Sequence, residues 1–356
     1  MSSKAHLTLN PSSRAALLRS QAHAGTTPTS LPIKDVRTHP RASSTGKENA
    51  SVFFIGNATT VLEWGDFRIL TDPNFLHAGD HVHLGPGVTS QRRTNPAVDL
   101  DQLPSMDCIL LSHYHEDHFD QLVEESLNRD FPIITTPHAK GCLTSSSKAE
   151  PFRAVHALDF FESILLECPT DTQTEAATPV IKVTGMPGKH VPPGPLSAIN
   201  DLLKAVPPTN GWLLELGWLN VAAGNVKVDQ NPPSDVKTGY RIYISGDTLF
   251  VDELRDIPKW LNGKPIDLML VHLGGTTIPG ASAPLVMVTM DAKQGIQLIH
   301  LIQPDVTIPI HFDDYDVFLS PLSDFQDKIE QEGLRDRVVY LNRGDQYRFT
   351  VRHDGD

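Results

Sequence analysis

The chain has 356 residues, 39% of them hydrophobic and 21% charged, with a formal net charge of -13. That composition is ordinary for a folded globular protein, and no apolar run approaches the ~18 residues of a membrane-spanning helix. The negative balance repels phosphate backbones and sets nucleic acid aside as the main partner.

Residues 1–48 are rich in Ser, Thr, Pro and Ala, with no acidic residue before Asp35. They are expected to be a partly flexible extension ahead of a domain over residues 49–356, interrupted by a short helical pattern at Arg14–Arg19. The acid-poor, Arg-bearing start also suits mitochondrial targeting, kept as the alternative to a cytoplasmic location. From Ser51 the pattern sharpens. Ser51–Ile55, Thr59–Leu62 and Phe67–Thr71 are expected strands separated by the Gly56-Asn57 and Trp64-Gly65-Asp66 turns. A loop carrying His77, His81 and His83 follows; of these, His83 and His81 are the candidates to reach a site.

The run Cys108–Ser112 is a buried strand by its composition, and His113-Tyr114-His115-Glu116-Asp117-His118 follows it directly. Neutral imidazole and carboxylate are the ligands that divalent Zn, Mn or Fe take. Cys108 belongs to the apolar run, and Cys142 and Cys168 complete an odd set without CxxC spacing. No disulfide framework and a reducing compartment are expected.

Helices are expected over Phe119–Asn128 and Lys140–Ser145 with a strand at Ile133–Thr135, an α/β rhythm. Strands at Ile164–Glu167 and Val180–Thr184 flank a polar loop at 169–179, and the second of them runs on to His190. A proline-rich excursion over 191–210, with a small helix at 196–204, is a candidate pocket wall. Trp212–Leu216 and Tyr240–Ser245 are expected strands on either side of a polar loop at 226–238, the second ending at Asp247. Ile266–Val271 ends at His272; a helix at Asp291–Ile302, capped by Thr289, precedes a strand at Val306–Ile310 that ends at His311. Val338–Leu341 and Tyr347–Val351 close the chain as strands.

Four strand ends thus carry candidate ligands. Counting them assigns His113, His115 and His190 to one ion and Asp117, His118 and His311 to another, with Asp247 between. Tyr114, His83 and His272 are the candidate substrate contacts. Asp313 and Asp314 are expected to orient ligands or cap a turn, and Arg92-Arg93 is an exposed pair available to a phosphate.

With those residues in place the chain resembles the metallo-β-lactamase-fold hydrolases. It is most similar to the branch holding L-ascorbate-6-phosphate lactonase and N-acyl-phosphatidylethanolamine phospholipase D. Ile55-Gly56-Asn57-Ala58-Thr59, Ile69–Pro73, Ser245–Thr248 and Ile308–Phe312 carry the resemblance from about Ser51 to Val351. Branch members often carry His where this chain has Asn57, and His190 is followed by Val191-Pro192-Pro193. The resemblance implies a four-layer αβ/βα sandwich with the metals at one edge.

The expected chemistry is hydrolysis by a hydroxide bound to two divalent ions, Zn first with Mn or Fe as options, Asp117 and Asp247 orienting water and moving its proton. A lactam or lactone of a small molecule is the expected substrate. A phosphodiesterase or phospholipase D-type hydrolase is the alternative, and a non-catalytic metal-binding sensor the second. The oligomeric state is left open, a homo-oligomer among the options.

Overall fold

The computed structural model describes residues 6–19, 27–42, 46–85, 87–168, 177–192, 194, 206–220, 236–278 and 286–353. The small helix expected at 196–204, most of the polar loop at 226–238 and the loop residues 169–176 lie outside them.

Two mixed sheets stack face to face. One has seven strands in the order His6–Thr8, Ser163–Glu167, Ala177–Pro187, Asn210–Asn220, Val236–Ile244, Leu268–His272, Val306–Ile310. The other has eight, ordered Val155–Ala157, Ile133–Thr135, Cys108–Leu110, Phe67–Thr71, Thr59–Trp64, Ala50–Gly56, Asp345–Phe349, Asp35–Arg37. Alternate residues of these strands face opposite ways. Val52, Phe54, Ile69 and Leu110 meet Ile181, Leu214, Ile244 and Ile308 in the core between the sheets. Phe53, Val61, Leu70 and Ile109 face outward under Val123 and Leu143 of helices Gln121–Ser126 and Pro137–Leu143. On the far side Leu213, Tyr243, Met269 and Val271 lie under Ile257, Ile296, Ile299 and Phe325 of helices Asp256–Leu261, Ala292–Ile302 and Leu322–Gln331. Strands apolar on both faces read as continuous hydrophobic runs, and each fully buried Leu, Ile, Val or Phe contributes roughly 1.5–3 kcal/mol. The result is the expected αβ/βα sandwich. Among the described residues no helix is long and apolar enough to cross a membrane.

Several local expectations are corrected. The second helix begins at Pro137, not Lys140, because Pro fits the first helical position and the Thr136 hydroxyl accepts from Ala139 N. Asp291, not Thr289, caps the helix at 292–302, accepting from Gln294 N. Val338–Leu341 forms no strand; a single bridge joins Val338 to Thr307. Arg14–Arg19 is not helical: Leu17 and Leu18 are both buried, and Leu18 bridges Leu127. Within the expected extension, His6–Thr8 pairs with Leu165–Glu167 in one sheet and Asp35–Arg37 with Asp345–Tyr347 in the other.

Candidate metal centre

The polar ends of four strands converge at one edge of the sandwich. Loop geometry there is held by unusual backbone: Asn57 (φ 51°), Asp72 (φ 35°) and His311 (φ 61°) are left-handed without being glycine, a strain that clusters at functional sites. Gly246 is required before Asp247, since at φ 62° a Cβ there would lie 2.3 Å from the Asn210 carbonyl oxygen.

Ligand atoms of His113, His115 and His190 lie within 4.8 Å of one another, as do those of Asp117, His118, Asp247 and His311. Asp247 Oδ2 is the point common to both groups: 3.1 Å from His118 Nε2, 3.5 Å from His311 Nε2 and 3.8 Å from His190 Nε2. Two atoms each ~2.0–2.1 Å from one ion are at most about 4 Å apart, so these separations suit shared ions. All seven residues expected as ligands meet here.

The imidazoles are aimed by what their other nitrogens touch. His190 Nδ1 donates to the Val288 carbonyl (2.5 Å) and His311 Nδ1 to that of Leu273 (3.1 Å). His113 Nδ1 is 2.9 Å from Ser112 Oγ, and His118 Nδ1 faces Ser112 Oγ at 3.4 Å and Asp72 Oδ2 at 3.6 Å. Each contact leaves Nε2 turned inward. The Nε2 atoms of His113, His115, His118 and His311, and Asp117 Oδ1, are buried without a hydrogen bond. Buried polar atoms are nearly always paired, so this donor set fits divalent cations.

The electrostatics agree. Burial pushes the buried Asp117 and Asp247 carboxyls up, but the surrounding histidines hold both well below the usual range. Burial lowers His118 and His311, yet the two carboxylates raise both above an ordinary imidazole, His118 well above. His113 is held well below its ordinary value and His190 is lowered to about 4, chiefly by burial, which keeps both neutral as metal ligands require. The carboxylates draw positive charge inward, a demand a cation meets.

His272 sits behind Asp247. It is fully buried, its Nδ1 donating to Asp247 Oδ1 at 2.9 Å, so that Oδ2 is the oxygen presented to the other ligands. Thr289 Oγ1 donates to that Oδ2 at 3.2 Å. His272→Ala is expected to weaken divalent-metal affinity about 10- to 100-fold, read by competition with a chromophoric chelator. His83 lies on an exposed hairpin at the mouth of a cleft of about 1090 Å³ that His115 and Tyr114 also line; His81 is not among the lining residues. Tyr114 donates to Glu124 Oε2 (2.6 Å) and accepts from Lys148 (3.1 Å), with its phenol pushed up to about 12 by burial and Glu124.

Arg92 is not exposed, which removes it as a phosphate contact. Its side chain is wholly buried, 3.0 Å from Asp314 Oδ1, because Asp314 also accepts from Thr94, Arg343 and the Asn57 amide and needs a cation at its core. Asn57 in turn ties together two members of one ligand group: its Nδ2 donates to the Asp117 carbonyl (2.6 Å) and its own carbonyl accepts from His311 N (3.0 Å). Asp72, Asn57 and Arg92 carry these roles unseen in the sequence. The signal available for Asp72 is its place before Pro73 at a strand end, where its carboxylate accepts from Ser112 N (2.7 Å).

Residues 67–217 match the model of the β-lactamase superfamily domain. The chain is similar to a metal-dependent hydrolase of Archaeoglobus fulgidus, 23% identical over 84% of this chain and 99% of that one. It is also similar to the mitochondrial N-acyl-phosphatidylethanolamine-hydrolyzing phospholipase D of Saccharomyces cerevisiae, 27% identical over 37% of this chain. The match spans 27% of the yeast enzyme's length and 18% of an uncharacterised relative from Mycobacterium tuberculosis. Among solved structures, isothiocyanate hydrolase from Delia radicum gut bacteria shares the fold, with a TM-score of 0.63, 16% identity and coverage of 84% and 99% of the two chains.

Proposed function

We propose, for a chain that carries a β-lactamase superfamily domain in the metallo-β-lactamase fold, that it is a metal-dependent hydrolase opening a small, uncharged lactone or lactam. His113, His115 and His190 would hold one ion, Asp117, His118 and His311 a second, and Asp247 would serve both. When bound, such ions supply Lewis acidity and a water that ionises near pH 7 rather than about 15.7. Asp117, whose Oδ1 lies 3.1 Å from His115 Nδ1, takes the attacking water's proton. As the acyl C–O or C–N bond breaks, that carboxyl returns the proton to the leaving oxygen or nitrogen. Asp247, steadied by His272 and Thr289, keeps the ligand groups in register.

The substrate reading rests on the walls. The small pocket beside Asp117 and Asp247 is closed by Leu84, Val206, Ile278 and Val288. In the adjoining cleft Lys148 is paired with Glu124 and Arg19 with Glu150, while Arg129 donates to the Glu124 carbonyl and lies over the Phe152 ring. Arg129 keeps an unpaired Nε, but Glu116, Glu124, Glu125 and Glu150 line the same cleft, and that acidic balance favours a neutral acyl group over a phosphodiester.

The test is turnover of γ-thiobutyrolactone, a penicillin-type lactam and bis-p-nitrophenyl phosphate by metal-loaded protein, with and without chelator. The expected result is chelator-sensitive acyl hydrolysis exceeding phosphodiester cleavage by at least about tenfold in kcat/KM. Preference for the phosphodiester would reverse the substrate reading. Bound metal without turnover of any probe would leave a sensor.

A further inference from the structure

We infer that the Thr276 hydroxyl is a substrate-contacting hydrogen-bond donor, seated where the acyl oxygen gains charge as water attacks. The inference deepens the hydrolase reading and rests on it.

Thr276 lies in the strand Gly274–Ile278, where it pairs with Phe318. A Cβ on Gly274 would meet the His311 carbonyl oxygen at 2.7 Å and the Phe318 ring at 3.2 Å, so that face of the strand looks toward the centre. Side chains two apart share a face, which puts Thr276 and Ile278 on the same side as Gly274. Both line the small pocket with His115, Asp117, His190 and Asp247. Thr277, on the opposite face, satisfies its hydroxyl with the Gly275 carbonyl at 2.8 Å.

The backbone of Thr276 is paired, its carbonyl accepting from Val288 N at 2.8 Å. Its Oγ1 is not: the residue is only 3% exposed and the oxygen makes no hydrogen bond. Valine would fill the same shape without a buried, unanswered hydroxyl, and because this one borders the pocket a group from outside the protein can answer it. The other polar side chains lining this pocket are the ligand candidates themselves. Thr276 is therefore the one polar group there, among the described residues, available to something other than an ion. The space is about 10 Å³, room for a single oxygen atom, and it shares His115 with the large cleft in which the rest of a substrate would lie. Apolar walls around a fixed donor give it leverage on developing negative charge that water would otherwise dilute.

The experiment compares wild type, Thr276→Val and Thr276→Ser as metal-loaded full chains with γ-thiobutyrolactone. Metal content, melting temperature, kcat and KM are all measured. For Thr276→Val the expected result is unchanged metal content and melting temperature, with kcat lowered about 10²-fold and KM little altered. Thr276→Ser, which keeps the donor, should recover to within severalfold of wild type. Wild-type kcat in the valine variant overturns the inference; so does a loss that tracks metal content or melting temperature and that serine fails to rescue. If wild type turns over no acyl probe, the hydrolase reading falls separately. The hydroxyl is then read from calorimetric affinity for acetohydroxamate, which Thr276→Val should weaken about tenfold and which equal affinities would refute.

Discussion

Asp247→Ala is expected to strip the centre of metal and of activity together while the fold survives. A single oxygen of this residue reaches both ligand groups: its Oδ2 lies 3.1 Å from His118, 3.5 Å from His311 and 3.8 Å from His190. Its Oδ1 also anchors His272, so truncation frees a buried imidazole behind the site. Losses of 10- to 100-fold follow when a group merely orienting a ligand is removed, and the loss here should exceed ~10²-fold in kcat/KM. Metal analysis and turnover on the same sample, with circular dichroism to verify folding, give the answer. A folded variant retaining wild-type metal content and turnover would end the assignment. His115→Ala should act in the same direction, although His115 is only partly buried at the cleft.

Asp314→Ala should produce the largest loss of stability. Arg92 and Asp314 are both shielded completely from solvent, and Arg343 approaches the second carboxylate oxygen at 2.9 Å. Removing the carboxylate strands a guanidinium without solvent or counter-charge, a penalty of about 3–5 kcal/mol. At 2–4 °C per kcal/mol for domains of this order, the melting temperature should fall by roughly 6–20 °C. The Asn57 amide would lose its acceptor at the same time, loosening Asp117 and His311. Pairing Asp314→Leu with Arg92→Met should cost less than the sum of the single changes, because no lone charge remains buried. A melting temperature within about 1 °C of wild type for Asp314→Ala would refute the account.

The candidate metal centre was legible because its chemistry is written locally. Six consecutive residues supply four ligand candidates, and His190, Asp247 and His311 each follow an apolar strand. What escaped depends on distant pairing. Arg92 looks like half of a solvated Arg-Arg pair until Asp314, 222 positions away, is folded against it. Asn57 looks like a turn residue, and nothing local shows that its carboxamide holds the Asp117 backbone. The helix Leu322–Gln331 was missed because it buries only Phe325 and Ile329, a pair four apart in an otherwise polar stretch. Val338–Leu341 has strand composition, yet Val338 packs in the outer core and Val339 in the inner one with a single bridge between strands. Composition registers burial; it does not register a ladder.

The early strands His6–Thr8 and Asp35–Arg37 each take the outermost place in a different sheet. A sheet rim presents open N–H and C=O groups that invite another chain to add on, and short, charged strands are the usual guard against it. Here the two early strands guard one rim of each sheet, covering Leu165–Glu167 in one and Asp345–Tyr347 in the other. Trimming them would leave the metal ligands intact but give the molecule two adhesive borders. Loss of residues 6–37 is therefore expected to raise self-association, as light scattering would read, at positions far in the sequence from the candidate metal ligands.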